Sequence, residues 1–343
     1  MNRFFSLLIL FCLAFCARPA PAALINGRSY TALGDWAGAN GLRLVRNGRS
    51  DEFMVTNRNT WLVFEKDSHT AEINGVNVAL SFPVAVDKGE VLIAQLDLNK
   101  TIEPLIFSPK VSTKKNTTVC LDPGHGGKDS GNRVGGGFFG HSEKTYTLAL
   151  ALELRDQLKK AGFNIVLTRS KDTFVELTER PDLANRRNAD LFVSLHFNAT
   201  ETGKNEVAGP ETYCITPVGA SSSNAQGEGA NHGACIANRV ENKSLLLAYQ
   251  VQKALVKNLG AEDRSVRRAR FAVLRDAEMP AILVESGYMT HPAEGRKIYD
   301  AGYRRRIAAA IVKGILNYQK IIAPAALPAA ATPNKVSTIK RSQ

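Results

Sequence analysis

Two short apolar runs in the chain each lead directly into a histidine. The first run, residues 117–121, precedes a Pro-Gly-His-Gly-Gly turn that contains His125, and the second, residues 191–195, ends on His196. Apolar runs of this length, bounded by turn residues, predict strands buried in a parallel sheet. In open α/β sheets, ligands gather beyond the carboxyl ends of the strands. We therefore predict that the two imidazoles, although far apart in sequence, lie close together at one edge of a sheet.

Two glutamates accompany these histidines. Glu143 is predicted to open the helix after the first run, and Glu285 ends a further apolar run at 281–284. Two histidines and one carboxylate form a common catalytic zinc set that leaves one coordination position for water, and a second carboxylate can move protons. Glu143 alone also has a structural explanation, since an acid in the first turn of a helix is favourable without any metal, and a lone histidine after a strand is more often structural than a ligand. Glu285 alone is harder to explain, because an acid that continues an apolar run is costly to bury unpaired. Taken together, the pattern predicts that the two histidines and Glu143 bind a metal ion that Glu285 faces.

From residue 117 onward strands and helices alternate, which predicts a three-layer α/β domain. Ser142 is a suitable N-cap for the first helix and Gly162 a suitable stop. Residues 217–241 form a long polar loop without periodicity, and such loops are often functional. We expect strands at 164–168, 191–196, 211–215, 271–274 and 281–285, and helices at 143–160, about 183–188, 244–259 and 303–318.

The segment from 23 to 108 predicts a small β-rich module, with one short helix near 33–40. Asn-Gly pairs of the kind that form hairpin turns separate its apolar runs. It contains no cluster of histidines, cysteines or paired carboxylates, so we predict a non-catalytic binding or spacer module. The strands expected in this module are 53–56, 60–65 and 76–80. The rest of the chain divides into a linker at 109–116, a catalytic domain at 117–322 and a disordered tail at 323–343.

The N-terminus predicts a secretory signal peptide over residues 1–22. Asn2 and Arg3 give a short cationic start, residues 4–15 are apolar but too short to span a bilayer, and the small-residue pattern that follows fits cleavage before Ala23. After its removal we expect no integral membrane segment. The predicted location is the periplasm or cell envelope, with secretion as the second choice.

The five cysteines divide into two groups. Cys12 and Cys16 leave with the signal peptide, whereas Cys120, Cys214 and Cys235 remain in the mature chain. The last two flank a Gly/Ser/Asn-rich stretch and either form a disulfide in an oxidising compartment or stay free. Because Cys120 lies in an apolar run, we interpret it as a small buried hydrophobe. No CxxC pair is present, which argues against a thiolate metal site.

The charge balance is strongly basic. The formal net charge is +12 at pH 7, with a sequence pI near 9.5. This balance favours an anionic partner such as nucleic acid, anionic lipid or an acidic cell-wall polymer, although solvated surface charge explains it equally simply. The chain has neither a basic stripe interleaved with aromatics nor a zinc-finger or helix-turn-helix signature, so we expect no nucleic acid partner.

Six segments around the candidate site carry a family resemblance. They lie at 121–129, 143–144, 167–169, 184–185, 189–199 and 283–285. In this order they resemble the zinc N-acetylmuramoyl-L-alanine amidases of bacterial cell walls, and the resemblance extends over about residues 118–320. It implies a twisted, mostly parallel sheet with helices on both faces. It also implies that His125, Glu143 and His196 bind one Zn²⁺ ion and that Glu285 is the catalytic glutamate.

The resemblance further implies a substrate and partners. The substrate is peptidoglycan, and the bond cleaved joins the lactyl group of N-acetylmuramic acid to L-alanine of the stem peptide, with zinc-activated water and Glu285 as general acid and base. A protein activator is a possible further partner, and the sequence leaves open whether one is required. The chain departs from the family pattern at Ser265, where a glycine is usual, and at 286–291, after the catalytic glutamate. These departures concern substrate subsites rather than ligands.

The N-terminal module resembles the small N-terminal domain of copper amine oxidases, through Ile73-Asn74-Gly75 and the strand that follows. Copper chemistry is not implied. Two other functions fit the same residues. One is a zinc peptidase or carboxypeptidase that acts on stem peptides with the same ligand set. The other is a catalytically silent peptidoglycan-binding or activator protein, a class that typically lacks a ligand or the glutamate, whereas this chain keeps all four residues.

Overall fold

The computed structural model describes residues 23–46, 51–107, 117–135, 140–223 and 233–323. The predicted signal peptide, the linker at 109–116 and the tail beyond 323 fall outside these ranges. Within them, no helix combines the length and the apolar character that a membrane crossing requires.

The N-terminal module is built mainly from short antiparallel strands. Asn74 and Gly75 both adopt a positive φ in the hairpin between its sixth and seventh strands, as their sequence predicts. Its elements are β1 (Ala23–Ile25), β2 (Arg28–Ala32), α1 (Leu33–Ala39), β3 (Arg43–Arg46), β4 (Glu52–Thr56), β5 (Trp61–Glu65), β6 (Thr70–Ile73), β7 (Val76–Ala79), β8 (Ala85–Asp87) and β9 (Glu90–Ala94).

A helical segment that the sequence analysis did not predict follows β9. It consists of α2 (Gln95–Asp97), a π-helical turn (Leu98–Ile102) and α3 (Glu103–Ile106). The buried carboxylate of Asp97 accepts hydrogen bonds from the backbone N–H of Ser81 at 2.7 Å and of Phe82 at 3.0 Å. This side chain therefore ties the helical segment to the end of the preceding strands.

The part of the chain predicted as the catalytic domain, residues 117–322, is called the catalytic part, and it alternates strands and helices. It contains β10 (Thr118–Pro123), β11 (Arg133–Val134), β12 (His141–Ser142), α4 (Glu143–Lys160), β13 (Asn164–Leu167), α5 (Glu179–Arg186), β14 (Leu191–Asn198), β15 (Glu211–Cys214), α6 (Glu241–Leu259), β16 (Val266–Arg268), α7 (Ala272–Arg275), β17 (Ala281–Tyr288), α8 (Pro292–Tyr299) and α9 (Ala301–Ile322). Strands β13, β10, β14 and β17 pair in parallel, and β15 joins β17 antiparallel. The predicted α/β class with a mostly parallel sheet is confirmed.

One prediction for this part is wrong, and others are wrong in detail. Residues 271–274 do not form a strand, because Ala272–Arg275 is the short helix α7. Short apolar runs do not distinguish a strand from a buried helical turn, and here Val273 and Leu274 are buried against Phe192 and Tyr213. Helix α4 begins at Glu143 as predicted, but the side chain of Ser142 makes no capping hydrogen bond.

Within the loop predicted at 217–241, Ile236–Val240 form a 3-10 helix and residue 241 already begins α6, whereas residues 224–232 lie outside the described ranges. Helix α5 spans Glu179–Arg186 instead of about 183–188.

Helices cover both faces of the sheet, as a three-layer domain requires. On one face, α4, α6 and α9 pack against the strands and one another and enclose the main apolar core. On the other face, α5 and α7 cover a smaller cluster that includes Cys120 and Phe192. Cys120, Cys214 and Cys235 form no disulfide in the structure, so Cys214 and Cys235 are free thiols here.

The module and the catalytic part share one sheet. Its order is β13-β10-β14-β17-β15-β16-β7-β6-β5-β4-β3, and the two parts meet where Val78 of β7 pairs in parallel with Val266 of β16. The backbone N–H of Asn77 donates to Asp263 Oδ2 at 2.7 Å, and Lys100 Nζ lies 2.6 Å from Glu241 Oε1. The module is therefore packed against the catalytic part as a lateral extension of its sheet.

Gly314 lies where α9 approaches α6 closely. A Cβ there would lie 2.6 Å from Val251 Cα and 2.9 Å from the Gln250 carbonyl oxygen. We expect Gly314→Ala to lower the free energy of unfolding by about 1–3 kcal/mol, because an added methyl overpacks a close contact. Gly38→Ala is the control, since no described atom lies within 4 Å of its Cβ position. Equal urea midpoints for the two variants would contradict the close packing.

Candidate active site

The four candidate residues come from four separate elements and meet at the carboxyl edge of the sheet. His125 follows β10, His196 lies near the end of β14, and Glu143 is the first residue of α4. Each offers one ligand atom, and these three atoms all lie within 4.8 Å of one another. Glu285 pairs with His196 in the β14–β17 register, so both side chains project from the same face of the sheet. The structure thus brings all four together.

Glu143 is the buried centre of the cluster. Its Oε1 lies 3.0 Å from His196 Nδ1 and accepts a hydrogen bond from the Phe197 backbone N–H at 3.1 Å. Its Oε2 lies 3.1 Å from His125 Nε2 and accepts from the Asn132 backbone N–H at 2.9 Å. Burial works to raise the pKa of this carboxyl, but the hydrogen bonds with both histidines outweigh it and hold the pKa well below its usual range.

His125 sits on a turn that only glycine-rich sequence permits. Its own backbone has a φ of +62°, in the left-handed region. A Cβ at Gly124 would overlap the ring of His196, and one at Gly131 would lie 2.6 Å from both Glu143 Oε2 and His125 Cδ2. The glycines around the histidine therefore allow the two imidazoles to approach one another, with ring centroids 4.9 Å apart.

Glu285 has a buried oxygen without a partner. Its Oε2 makes no hydrogen bond within the described part of the chain. Burial, followed by the charges of Glu143 and Glu211, raises its pKa well above the usual value for a glutamate. A buried acid without a partner is costly in a protein, so this carboxylate indicates a function other than stability.

A cavity of about 480 Å³ opens over these residues. Its lining includes all four candidate side chains together with Asn132 and residues 271–273, at the start of α7. Leu177 contributes a further apolar side chain and is 52% exposed. The region predicted as a strand therefore forms a wall of the site instead.

The donor set fits a divalent metal of the zinc type. Two imidazole nitrogens and a carboxylate oxygen are the ligands found in many catalytic zinc sites. Glu285, whose Oε2 has no hydrogen-bond partner among the described residues, lines the same cavity, where a cation or an attacking water would compensate its charge. The residues present can therefore hold such an ion.

Comparison with known proteins bears directly on this arrangement. Residues 119–317, more than half of the chain, match the family model for N-acetylmuramoyl-L-alanine amidase. The chain belongs to the N-acetylmuramoyl-L-alanine amidase family. The predicted family is thereby confirmed, and with it the general activity of a peptidoglycan amidase. The match begins within β10 and ends within α9, so it includes every residue of the cluster.

Individual relatives agree with the family match. Uncharacterized protein YqiI of Bacillus subtilis (strain 168) is 37% identical over 201 residues, which cover 59% of this chain and 84% of YqiI. N-acetylmuramoyl-L-alanine amidase AmiA of Escherichia coli (strain K12) is 34% identical, covering 58% of this chain and 75% of AmiA. The solved amidase from Clostridium difficile 630 is 33% identical with a TM-score of 0.50, covering 60% of this chain and 98% of that one.

Two buried arginines support the Pro-Gly-His-Gly-Gly turn that contains His125. The sequence analysis assigned them no role. Arg180 donates to the carbonyl oxygens of Pro123 and His125, each at 3.1 Å, and pairs with the buried Asp122 at 2.8 Å. Arg169 donates to the Gly124 carbonyl oxygen at 2.8 Å. The guanidinium groups of both arginines donate to the carbonyl oxygens of three consecutive residues, 123–125. They therefore fix the turn that positions the ring of His125.

Asp129 is a further residue whose role the sequence analysis missed, although it lies four positions after His125. Its Oδ2 lies 2.8 Å from His125 Nδ1. Burial works to lower the pKa of this imidazole, but hydrogen bonds to Glu143 and Asp129 outweigh it and raise the pKa. A carboxylate in this position orients a ligand histidine with its other nitrogen toward the metal.

We expect Asp129→Ala to weaken zinc binding by about 10–100-fold, the usual effect of losing such a partner. Competition with a chromophoric chelator measures the dissociation constant. Asp156→Ala, on the exposed face of α4, removes the same charge away from the site and should leave the affinity unchanged. Equal affinities for both variants and the wild type would show that Asp129 does not orient the histidine.

Proposed function

We propose that this protein is an exported, zinc-dependent N-acetylmuramoyl-L-alanine amidase. In this proposal the two histidines and Glu143 hold one zinc ion, and Glu285 transfers protons in cleavage of the bond between N-acetylmuramic acid and L-alanine. The observation that supports it most strongly is that the buried Oε2 of Glu285 has no hydrogen-bond partner among the described residues. Beside it, the ligand atoms of His125, Glu143 and His196 lie within 4.8 Å of one another.

The chemistry divides between the ion and the protein. When bound, zinc supplies Lewis acidity, which lowers the pKa of water and polarises a carbonyl. Glu285 accepts the proton of the water that attacks the lactyl carbonyl carbon. It then donates that proton to the nitrogen of L-alanine as the C–N bond breaks. A carboxyl whose pKa is raised by burial, and then by its acidic neighbours, is suited to hold a proton between these two transfers.

The remaining residues of the site hold this arrangement in place. Asp129 fixes the ring of His125, and Arg180 fixes the turn that carries it. The exposed Leu177 and the apolar start of α7 form the wall against which the substrate lies. We therefore assign substrate contacts to these apolar residues and the chemistry to the two histidines and two glutamates that line the same cavity.

We also propose the domain division and the location that the sequence predicts. Ala23, the first residue after the proposed cleavage point, already pairs with Tyr30 in the β1–β2 hairpin. A mature chain that begins there therefore keeps the whole module. Residues 23–108 form the module, which we assign to the copper amine oxidase N-terminal-like class, and 117–322 form the catalytic domain. Export places the enzyme in the periplasm or cell envelope, where its substrate lies.

A protein activator belongs among the proposed partners. The CwlD amidase from Clostridioides difficile has been solved in complex with the GerS lipoprotein; its sequence is 26% identical to this chain, with a TM-score of 0.50. The cavity over Glu285 has a volume of about 480 Å³. Because this cavity leaves space for substrate, we expect basal activity without a partner, and an activator that raises the rate rather than creating it.

Digestion of purified peptidoglycan by the mature protein, residues 23–343, tests the proposed function. Mass spectrometry should show intact stem peptides that begin with L-alanine, together with glycan strands that keep the lactyl group. Shortened peptides would assign the enzyme to the peptidases instead. No release by zinc-loaded protein would contradict an enzymatic function and favour a binding role. Glu285→Ala provides the blank for non-enzymatic release.

A further inference from the structure

A second cavity lies at the junction of the module and the catalytic part. Its volume is about 710 Å³, and its lining includes Arg28, His69, Thr70, Ser265 and Arg267. We refer to it as the junction cleft. It shares no lining residue with the cavity over Glu285.

Strand register places the junction cleft on the same face of the sheet as Glu285. In the pairing of β17 with β15, Glu285 lies opposite Glu211 and Leu283 opposite Tyr213. Tyr213 in turn pairs with Arg267 of β16. Residues paired in register project from the same face of a sheet, so the guanidinium and both carboxylates share one face. Arg267 Nε lies 2.6 Å from Glu211 Oε2, which confirms this placement.

The same face continues into the module. Val266 and Val78 pair across the junction and are both buried in the main core. Their neighbours Ser265 and Ala79 therefore face the opposite side, where they line the cleft with Thr70, the partner of Ala79 in β6. Three strand spacings of about 4.8 Å separate β17 from β7, so the cleft floor lies roughly 15 Å from Glu285 across the sheet.

The lining has the chemistry of a carboxylate site. None of the described residues that line the cleft is acidic, and hydroxyl groups and cationic side chains predominate. The guanidinium of Arg28 lies 4.3 Å from the centroid of the Phe82 ring. No carboxylate pairs with Arg28 within the described part of the chain. A guanidinium stacked on an aromatic face keeps its N–H edge available for bidentate hydrogen bonds to a carboxylate.

We infer that the junction cleft binds a free carboxylate of a second stem peptide on the same glycan strand while the first stem peptide lies at Glu285. This inference rests on the proposed function. Peptidoglycan repeats its stem peptides along the glycan, and a stem peptide that is not cross-linked ends in a carboxylate. The module would therefore hold polymeric substrate in register with the catalytic residues.

Two substrates and a matched pair of variants test the inference. Arg28→Glu reverses the charge in the cleft, whereas Arg43→Glu reverses an equally exposed charge on the outer edge strand β3. On polymeric peptidoglycan, we expect Arg28→Glu to raise KM about tenfold with kcat unchanged, the effect of losing one charge-assisted contact. On a soluble fragment that carries a single stem peptide, its rates should equal those of the wild type. Arg43→Glu should match the wild type on both substrates.

A second variant and a modified substrate identify the ligand. Thr70→Trp fills the cleft without removing a charge and should raise KM for the polymer in the same way. In the modified substrate, the peptide carboxylates of peptidoglycan are converted to amides. The KM of the wild type on this substrate should equal the KM of the Arg28→Glu variant on unmodified peptidoglycan. An unchanged KM for Arg28→Glu on the polymer, or an equal loss on both substrates, would overturn the inference.

A failure of the proposed function gives a different pattern. A wild-type protein that cleaves neither substrate would refute the activity, not the cleft. Co-sedimentation with insoluble peptidoglycan then tests the cleft directly. Loss of pelleting by Arg28→Glu, but not by Arg43→Glu, would support a carboxylate site, and equal pelleting of both variants would refute it.

Discussion

Glu285→Ala should remove nearly all turnover while the protein still folds and binds zinc. The lost carboxyl is the proposed acid and base for both proton transfers, and such a group typically contributes about 10²–10⁴-fold to the rate. Its buried Oε2 has no hydrogen-bond partner in the described chain, so truncation leaves no donor unsatisfied. We therefore expect an unfolding midpoint equal to or above that of the wild type.

Three measurements together test this expectation: the turnover number on peptidoglycan, the zinc content, and thermal unfolding followed by circular dichroism. Glu285→Gln keeps the shape of the side chain but cannot take a proton, so it should be equally inactive. Glu278→Ala removes an exposed acid and is the control for the substitution itself. A Glu285→Ala enzyme with the wild-type rate would show that the assigned role is wrong.

Among the proposed variants, we expect Arg180→Met to lower the free energy of unfolding most. Arg180 and Asp122 are both essentially buried, with exposed fractions of 1% and 0%, and form a 2.8 Å ion pair. Removal of one partner leaves an uncompensated buried charge, which typically lowers the free energy of unfolding by about 3–5 kcal/mol. The same change frees the carbonyl oxygens of the turn that carries His125, so zinc affinity should fall as well.

Urea unfolding at pH 7 measures this loss, and Arg186→Met, exposed on the same helix, is the matched control. Asp122→Asn in the Arg180→Met background should recover part of the loss, because it removes the unpaired charge. A decrease of less than about 1 kcal/mol for Arg180→Met would contradict the account of the buried pair.

Much of the fold and the location of the cluster follow from local sequence patterns. Helix α4 spans Glu143–Lys160 as its apolar spacing predicts, and β14 and β17 begin where their apolar runs begin. The carboxyl ends of neighbouring parallel strands share an edge, so residues that end such runs meet there. For this reason the proximity of His125, His196 and Glu285 can be predicted from the sequence alone.

Other features depend on contacts between distant segments, which local patterns do not encode. Arg180 supports the turn after β10 from 55 residues away in sequence. The pairing of β7 with β16 joins residues 78 and 266, and nothing in either strand alone specifies the other as its partner. The run at 271–274 is short enough to suit a strand or a helix, and its place in a buried cluster with Tyr213 is not encoded in the run itself.

The central claim is that one zinc ion, held by the two histidines and Glu143, is required for cleavage of the amide bond. The most direct test strips the mature protein of metal and follows the release of L-alanine stem peptides as zinc is added back. We predict no release at zero zinc and a linear rise that ends at one equivalent. The His196→Ala variant should show no rise over the same range. Full activity in the stripped wild type, or an equal response in His196→Ala, would contradict the claim.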